Sequence, residues 1–186
     1  VVQRFLARGW DVTSFSLPGE APIASWTASV RMAHGDLGNL QAVADAASGC
    51  DLAIHLAAPV GVAGRYQWQW DIIAEGTRNV CEAIAAQGGR AVVASSIAVY
   101  GTLIQTQLCR EDDGHGPWAG AYGRGKQGQE LVALEIAQRT SMPLTLIRPA
   151  NVYGLGGSSA WGDRLLAAFT ASGGAVFGQA EQNDAG

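Results

Sequence analysis

The chain has 186 residues, a net charge of −4 and 48% hydrophobic residues, so it is long and apolar enough to fold as a domain with its own core. Its basic residues are scattered singly, which argues against a general nucleic-acid surface. Its three cysteines lack metal-ligand spacing, and no apolar run approaches the roughly 20 residues of a membrane span. No signal peptide is visible, so we expect a cytoplasmic protein without a metal, nucleic-acid or membrane partner.

Hydrophobic periodicity predicts helices and strands that alternate along the chain. In order, these are a helix tail over 1–8, a strand over 11–17, a short strand in SVRMAHGD, a helix in NLQAVADAAS, a strand over 51–58, a helix over about 69–87, a strand over 90–96, a loop of about 20 residues, a helix from 121 onward, a strand over 143–149 and a helix in WGDRLLAAFTAS. This alternation predicts an α/β fold, a doubly wound parallel sheet with helices on both faces. Ligands bind at the carboxyl ends of the strands in such sheets.

Three motifs lie at or near those strand ends: SSIAVYG (95–101), YGRGK (122–126) and RPANVYG (148–154). Tyr122 and Lys126 are four residues apart, so they share a helical face. A cation about 4 Å from the phenol, at an effective dielectric of about 20, would lower the pKa of Tyr122 by roughly three units. Ser96 can add a hydrogen bond to the phenol or to a substrate hydroxyl. The sequence therefore predicts an acid–base set.

A Tyr and a Lys four apart also occur by chance on solvated helix faces. Here three motifs converge on one sheet edge, which favours the functional interpretation. The helix that carries the pair begins with Gly123, Gly125 and Gly128. Because glycine has no Cβ, these positions allow the start of the helix to approach a ligand or a neighbouring backbone closely.

The ordered motifs GWDVTSF, HGDLGNLQAVADAASGCDLAIHLAA, EGTRNVCEAI, VVASSIAVYG, YGRGKQGQE and LIRPANVYG resemble the extended short-chain dehydrogenase/reductase family, the NAD(P)-dependent sugar epimerases and dehydratases. The resemblance spans nearly the whole chain and implies a Rossmann-like fold. YxxxK alone is a weak motif, whereas this ordered set is specific.

The resemblance also implies roles for individual residues. Tyr122 would be the catalytic acid/base, Lys126 would lower its pKa and hold the nicotinamide ribose, and Ser96 would be the third catalytic residue, in contact with the substrate. The other implied cofactor contacts are Asp36 and Leu37 at the adenine, Leu56, Ala57 and Ala58 along the cofactor, and Ser95 and Pro149 near the nicotinamide. Asn151 would lie on the substrate side.

The sequence departs from the family pattern at several positions. The GxxGxxG turn that cradles the cofactor pyrophosphate is absent, and we expect an N-terminally truncated chain that binds cofactor poorly as written. Ile72 and Ile73 stand where the family often has Asn, with Asp71 a possible substitute. Gly125 replaces a Ser, a mild change. Ser16 and Leu17 stand where an acid would select NAD or an Arg would hold the NADP phosphate, so this position favours neither cofactor. We expect NAD, with NADP as an alternative.

These observations predict an NAD(P)-binding domain over 1–172 and the beginning of a substrate-binding region over 173–186. The predicted activity is hydride transfer by an epimerase or dehydratase on a nucleotide sugar. The alternatives are a 3β-hydroxysteroid or dihydroflavonol-type reductase, and a non-catalytic binding module. The family often dimerises through the helices near 69–87 and 119–139, so a homodimer is an expectation.

Several other residues are interpreted as structural. His55 is expected in the core, His34 and His115 have no partner at metal spacing, and EDDGHG (111–116) reads as a solvated loop. Trp68 and Trp70 are interpreted as packing residues, with a substrate-facing role as the alternative.

Overall fold

A computed structural model describes residues 1–20, 29–59, 71–117 and 119–152. Its elements, numbered in chain order, are α1 (Val2–Leu6), β1 (Val12–Ser16), β2 (Val30–His34), α2 (Leu40–Ala47), β3 (Leu52–His55), a π-helical turn (Asp71–Glu75) leading into α3 (Gly76–Ala85), β4 (Arg90–Ala94), a 3₁₀ segment (Ile97–Gln105), α4 (Gly120–Thr140) and β5 (Leu144–Ile147). The strands pair in parallel and alternate with helices, which confirms the predicted α/β class.

Local sequence signals explain where the helices begin and end. The Asn39 side chain accepts a hydrogen bond from the Ala42 N–H at 3.2 Å and caps the start of α2. Gly9 and Gly49, which follow α1 and α2, both have φ of +77°, a conformation that glycine adopts without strain. The predicted ends of both helices are therefore confirmed.

The hydrophobic core lies between α3, β4 and α4. Its buried members are Cys81, Ile84, Ala91, Val93, Ala133, Ile136 and Met142. β4 is hydrogen-bonded to β3 on one side and to β5 on the other, and its Ala91 and Val93 are at most 1% exposed. One face of the middle strand is therefore buried in the core, while Val92 and Ala94 on the other face are half-buried.

The described strands form two parallel sheets, β1–β2 and β3–β4–β5. A cavity of about 870 Å³ lies between them and is lined by residues of both β1 and β3. The first three residues of β3 are only half-buried, as are all five of β1. Within the described residues each of these two strands has one hydrogen-bonded neighbour.

The loop predicted before α4 contains local structure. Residues 97–105 form the 3₁₀ segment, and Gly101 in it has φ of +53°. The chain divides into two compact units, Val1–Arg148 and Pro149–Gly186. The predicted domain boundary at 172/173 and the predicted helix in WGDRLLAAFTAS lie outside the described residues. No helix in the described ranges is long and apolar enough to cross a membrane.

Candidate active site

Ser96 stands immediately beyond the carboxyl end of β4. Its backbone is extended, with φ of −163°, and its Oγ accepts a hydrogen bond from the Ala98 N–H at 3.1 Å. The side chain therefore caps the 3₁₀ segment that leaves the sheet here. A half-buried hydroxyl is held at a strand end, as the sequence predicted.

Lys126 ties the beginning of α4 to the same strand end. Its ammonium Nζ donates to the carbonyl of Ala94, the last residue of β4, at 2.7 Å and to Gln129 Oε1 at 2.9 Å. It is 2% exposed and is the only lysine in the 186 residues. A buried ammonium normally needs such acceptors, because burial otherwise costs several kcal/mol. The single lysine of these 186 residues therefore occupies this buried position.

Tyr122 lies one helical turn before Lys126 on α4. The Lys126 Nζ is 5.8 Å from the centre of the Tyr122 ring, and the Ser96 side chain is near enough to the phenol to lower its pKa. The three side chains predicted to act together are therefore adjacent, although they come from two elements. Whether they catalyse a reaction stays a prediction.

Gly123 explains part of the glycine-rich beginning of α4. A Cβ at this position would lie 2.7 Å from the carbonyl oxygen of Ala98, closer than van der Waals contact allows. The missing side chain lets the helix approach the backbone of the 3₁₀ segment that Ser96 caps. The expected close approach is therefore observed at Gly123, against a neighbouring backbone.

The pKa of Tyr122 differs from the expected value in its direction. Burial raises the pKa of Tyr122, and the hydrogen bond from Ser96 only partly opposes this. Burial also lowers the pKa of Lys126 to about 8, against the opposing charge of Glu130. The expected fall of the Tyr122 pKa is not seen, because the ammonium is directed at Ala94 and Gln129.

The residues predicted to flank the adenine lie in the turn after β2. Asp36 is exposed, and its Oδ1 accepts from the Gly38 N–H at 2.7 Å. Leu37 is half-buried against Gly76, and its carbonyl accepts from Asn79 Nδ2 at 2.7 Å. The turn is thus attached to α3, which orients it.

Only some of the residues predicted to lie along the cofactor line the cavity. Leu56 and Ala57, which follow β3, line the 870 Å³ cavity together with Leu37. Neither Ala58 nor Asp36 is among the described residues that line it, and the same is true of Ser96, Tyr122 and Lys126.

Ser95, predicted beside the nicotinamide, is buried in this structure. It is 3% exposed, and its backbone N–H donates to the Ile147 carbonyl at 2.8 Å. Its hydroxyl contributes to lowering the pKa of Glu130. Pro149 and Asn151 belong to the second compact unit, where Asn151 is exposed. Their predicted roles stay predictions.

A buried ion-pair network near the set was missed from the sequence. Glu130 is 0% exposed, and its carboxylate accepts from Arg148 Nε at 2.9 Å, from Arg148 Nη2 at 2.8 Å and from His115 Nε2 at 2.8 Å. Arg148 also donates to the Tyr100 hydroxyl at 3.0 Å. The hydrogen bonds that Arg148 donates to Glu130 and Tyr100 raise its pKa.

A helical spacing could have revealed Glu130. Tyr122, Lys126 and Glu130 stand at i, i+4 and i+8, which places three polar residues on one face of a buried helix. His115, read as part of a solvated loop, is attached to the helix through Glu130, and Gly116 beside it is buried. That prediction was wrong for these two residues, although 111 and 112 are exposed.

The departures from the family pattern also have structural counterparts. Ile73, at the position expected for Asn, is 1% exposed and belongs to the core. Ser16 Oγ lies 3.2 Å from His34 Nδ1 on the adjacent strand, and Leu17 is 52% exposed. Within the described ranges, no group of three or more His, Cys, Asp or Glu could hold a metal ion. Trp68 and Trp70 lie outside those ranges.

The chain is similar in sequence or fold to several known proteins. An N-acetyl-α-D-glucosaminyl-diphospho-ditrans,octacis-undecaprenol 4-epimerase of Escherichia coli O157:H7 is 33% identical over 127 residues, 64% of this chain and 37% of that protein. A 3β-hydroxysteroid-dehydrogenase/decarboxylase (isoform 1) of Arabidopsis thaliana is 26% identical over 133 residues, 68% of this chain and 30% of that protein. The chain thus spans about a third of the length of these relatives.

A solved structure, MoeE5 in complex with UDP-glucuronic acid and NAD, superposes with a TM-score of 0.65 at 29% identity, covering 82% of this chain and 49% of that one. The family model described as the NAD dependent epimerase/dehydratase family matches residues 1–176. Because that match covers nearly the whole sequence and the parallel α/β fold agrees with it, the chain belongs to the NAD dependent epimerase/dehydratase family.

Proposed function

We propose that this protein is an NAD(P)-dependent epimerase or dehydratase that acts on a nucleotide sugar through Ser96, Tyr122 and Lys126. One observation carries the proposal: the ammonium of Lys126, bonded to the carbonyl of Ala94 at the end of β4, lies 5.8 Å from the centre of the Tyr122 ring, and the Ser96 hydroxyl next to that strand end lowers the Tyr122 pKa in opposition to burial. This meets the requirement for a proton-transfer group held within reach of a second hydroxyl.

The roles follow from the chemistry of each side chain. Tyr122 exchanges the proton of a substrate hydroxyl, and Ser96 holds that hydroxyl or the phenolate by a hydrogen bond. Lys126 supplies positive charge on the same helix face, which favours the tyrosinate when a substrate proton is taken. When bound, the nicotinamide cofactor accepts and returns a hydride at the carbon that bears this hydroxyl.

Residues of this chain fit such a cofactor at two places. Leu37, Leu56 and Ala57 line the 870 Å³ cavity with apolar and small side chains, which suit a flat adenine ring. Lys126 has three N–H donors and uses two of them on described residues, so one can serve a ribose hydroxyl. NAD is the preferred cofactor because MoeE5, at 29% identity, holds NAD in its solved structure.

A nucleotide sugar is the preferred substrate class. MoeE5 holds UDP-glucuronic acid, and the E. coli relative is an epimerase of a sugar joined through a diphosphate to a lipid. Both compounds have a sugar attached to a diphosphate. We therefore propose a sugar diphosphate as the common element of recognition.

The test uses the protein expressed from its complete reading frame. Wild type and Tyr122→Phe are incubated with NAD⁺ and a panel of UDP- and dTDP-sugars, and the products are separated by chromatography. Loss of the acid–base group is expected to lower turnover by about 100-fold or more while NAD⁺ affinity changes little. Tyr100→Phe is the matched control, since its hydroxyl bonds to the Arg110 carbonyl and to Arg148. Wild-type-like turnover by Tyr122→Phe would contradict the assignment.

A 3β-hydroxysteroid dehydrogenase is the second candidate. It is favoured by the Arabidopsis relative, which is named for that activity. A 3β-hydroxysteroid is therefore included in the same panel, with NADH formation measured by absorbance. Oxidation of the steroid without conversion of any sugar nucleotide would replace the first candidate by the second.

A further inference from the structure

A line of buried, hydrogen-bonded polar side chains begins at Lys126 and leads away from Tyr122 and Ser96. Its members are Gln129 on α4, Thr77 on α3 and His55 at the end of β3. Lys126 is 2% exposed, His55 is 4% exposed, and Gln129 and Thr77 are each 0% exposed. Groups this deeply buried cost free energy unless their hydrogen bonds are satisfied.

The donors and acceptors along this line have one consistent assignment. The Thr77 hydroxyl has a single proton and gives it to the Ile73 carbonyl at 2.6 Å. It must therefore accept from its two other neighbours, Gln129 Nε2 at 3.0 Å and His55 Nε2 at 3.0 Å. With Nε2 of Gln129 committed to Thr77, its carbonyl oxygen Oε1 faces Lys126 at 2.9 Å. The Gln129 amide cannot flip without losing both bonds.

This assignment also fixes the state of His55. Its Nε2 carries a hydrogen, because it donates to Thr77. Burial and the charge of Lys126 lower the pKa of His55 to about 4, so the ring is neutral at pH 7. A neutral ring adds no second cation beside the ammonium of Lys126.

We propose that Gln129 is a positioning residue for Lys126, with its amide oriented by Thr77 and His55, and that it directs the ammonium toward the bound cofactor. This inference rests on the proposed function. Ala94 and Gln129 accept two of the three N–H groups of the ammonium, so the direction of the third is determined by them.

Substitutions that change the acceptor or the charge next to Lys126 allow the proposal to be tested. The titratable groups that face it within the described residues are Glu130 and Tyr122 from its own helix and His55 from β3. Gln129→Leu removes an acceptor from a buried ammonium, which disfavours the charged form. Gln129→Glu puts an anion at the same distance, which favours it.

The measurement is the pKa of Lys126 itself, without cofactor. The protein is labelled with ¹³C-lysine, and the side-chain resonance that disappears in Lys126→Met is assigned to Lys126 and titrated by NMR; these 186 residues contribute one such resonance. The wild-type pKa is about 8. We expect it to fall to about 7 in Gln129→Leu, since a hydrogen bond to a charged group is worth about one pKa unit or more. In Gln129→Glu we expect it to rise.

Gln127→Leu is the matched control on the same helix. Gln127 Nε2 donates to the Val99 and Gly116 carbonyls at 2.8 Å each, so its loss affects packing without touching Lys126. Thr77→Val is a second variant, because it keeps the shape of the side chain and frees the Gln129 amide. It should move the Lys126 pKa in the same direction as Gln129→Leu, by less.

Binding of NAD⁺ is measured in parallel by calorimetry on the same variants expressed from the complete reading frame, and about tenfold weaker binding is expected for Gln129→Leu. If Gln129→Leu and Gln127→Leu leave the same Lys126 pKa, the proposal is overturned, whatever their stability. If NAD⁺ binds equally well to wild type and Gln129→Leu, the positioning role is also refuted while the proposed function stands. If wild type binds no NAD⁺, the proposed function fails, and with it the role toward the cofactor.

Discussion

Replacement of Glu130 by Gln tests the buried ion-pair network directly. The Glu130 carboxylate is 0% exposed and accepts hydrogen bonds from two nitrogens of Arg148 and from His115. Gln has nearly the same size, but it removes the charge and replaces one acceptor oxygen by a donor. The Arg148 side chain, which is 17% exposed, would then lack its anion.

The expected loss of stability is large. Removal of one partner from a buried ion pair costs about 3–5 kcal/mol, because the other charge is left without compensation. In a domain of this size 1 kcal/mol corresponds to roughly 2–4 °C, so the melting temperature should fall by about 10 °C. Glu135→Gln on the same helix is the control. Its pair with Arg78, at 3.6 Å and with both side chains at least 35% exposed, should contribute less than about 1 kcal/mol.

The pH dependence of the stability gives an independent test of this ion pair. Burial alone would raise the pKa of Glu130, but the hydrogen bonds that it accepts from Arg148 and His115 hold it below its usual 4.5. A carboxyl with a lowered pKa in the folded protein contributes stability above its unfolded pKa and loses it as the pH falls through the folded value. The difference in stability between wild type and Glu130→Gln should therefore be constant near neutrality and shrink below about pH 4.5.

Thermal unfolding followed by circular dichroism, from pH 7 to pH 3, is the assay. The double variant Glu130→Gln/Arg148→Met should be more stable than the sum of the two single losses predicts, because no charge is left buried. If Glu130→Gln melts within about 2 °C of the Glu135→Gln control at pH 7, the reasoning is refuted. A strictly additive double variant would refute it as well.

Two further predictions concern packing and thiol reactivity. Gly123→Ala should destabilise the protein by about 1–3 kcal/mol in urea unfolding, because its Cβ would lie 2.7 Å from the Ala98 carbonyl oxygen. Gly114→Ala is the control and should be nearly neutral, since nothing lies within 4 Å of its Cβ. Equal losses of stability in the two variants would contradict the close contact at Gly123. Cys81 is 0% exposed, and burial raises its pKa to about 12, so iodoacetamide should modify it last of the three cysteines by mass spectrometry of the native protein. Early modification of Cys81 would contradict its burial.

Much of the fold could be predicted because the sequence pattern is locally consistent. Apolar strands bounded by turn residues gave five strands within a few residues of their observed ends, and glycines after α1 and α2 marked their ends. The adjacency of Tyr122, Lys126 and Ser96 followed from a simple rule, that parallel strands bring their carboxyl ends to one edge.

What could not be predicted depends on contacts between distant residues. Glu130 and Arg148 are 18 residues apart, and nothing in the local pattern of either indicates an ion pair. The direction of the Tyr122 pKa depends on where the Lys126 ammonium is held, and this is decided by Gln129 and Ala94. The spacing of residues in the sequence shows which side chains share a helix face, but it does not show which groups accept their hydrogen bonds.

The separation of the two sheets has a consequence for cooperativity. No ladder hydrogen bond joins β1 to β3 in the described part of the chain, so contacts through α2 and α3 connect the halves. Among them, Asn79 donates to the Leu37 carbonyl at 2.7 Å, and Gln87 accepts from the Gly49 N–H at 2.8 Å. The packing of α2 against α3 therefore joins the two halves in the described residues. A local unfolding event that separates β1–β2 from the half that carries Ser96 and the anchor of Lys126 has to break this helix contact first.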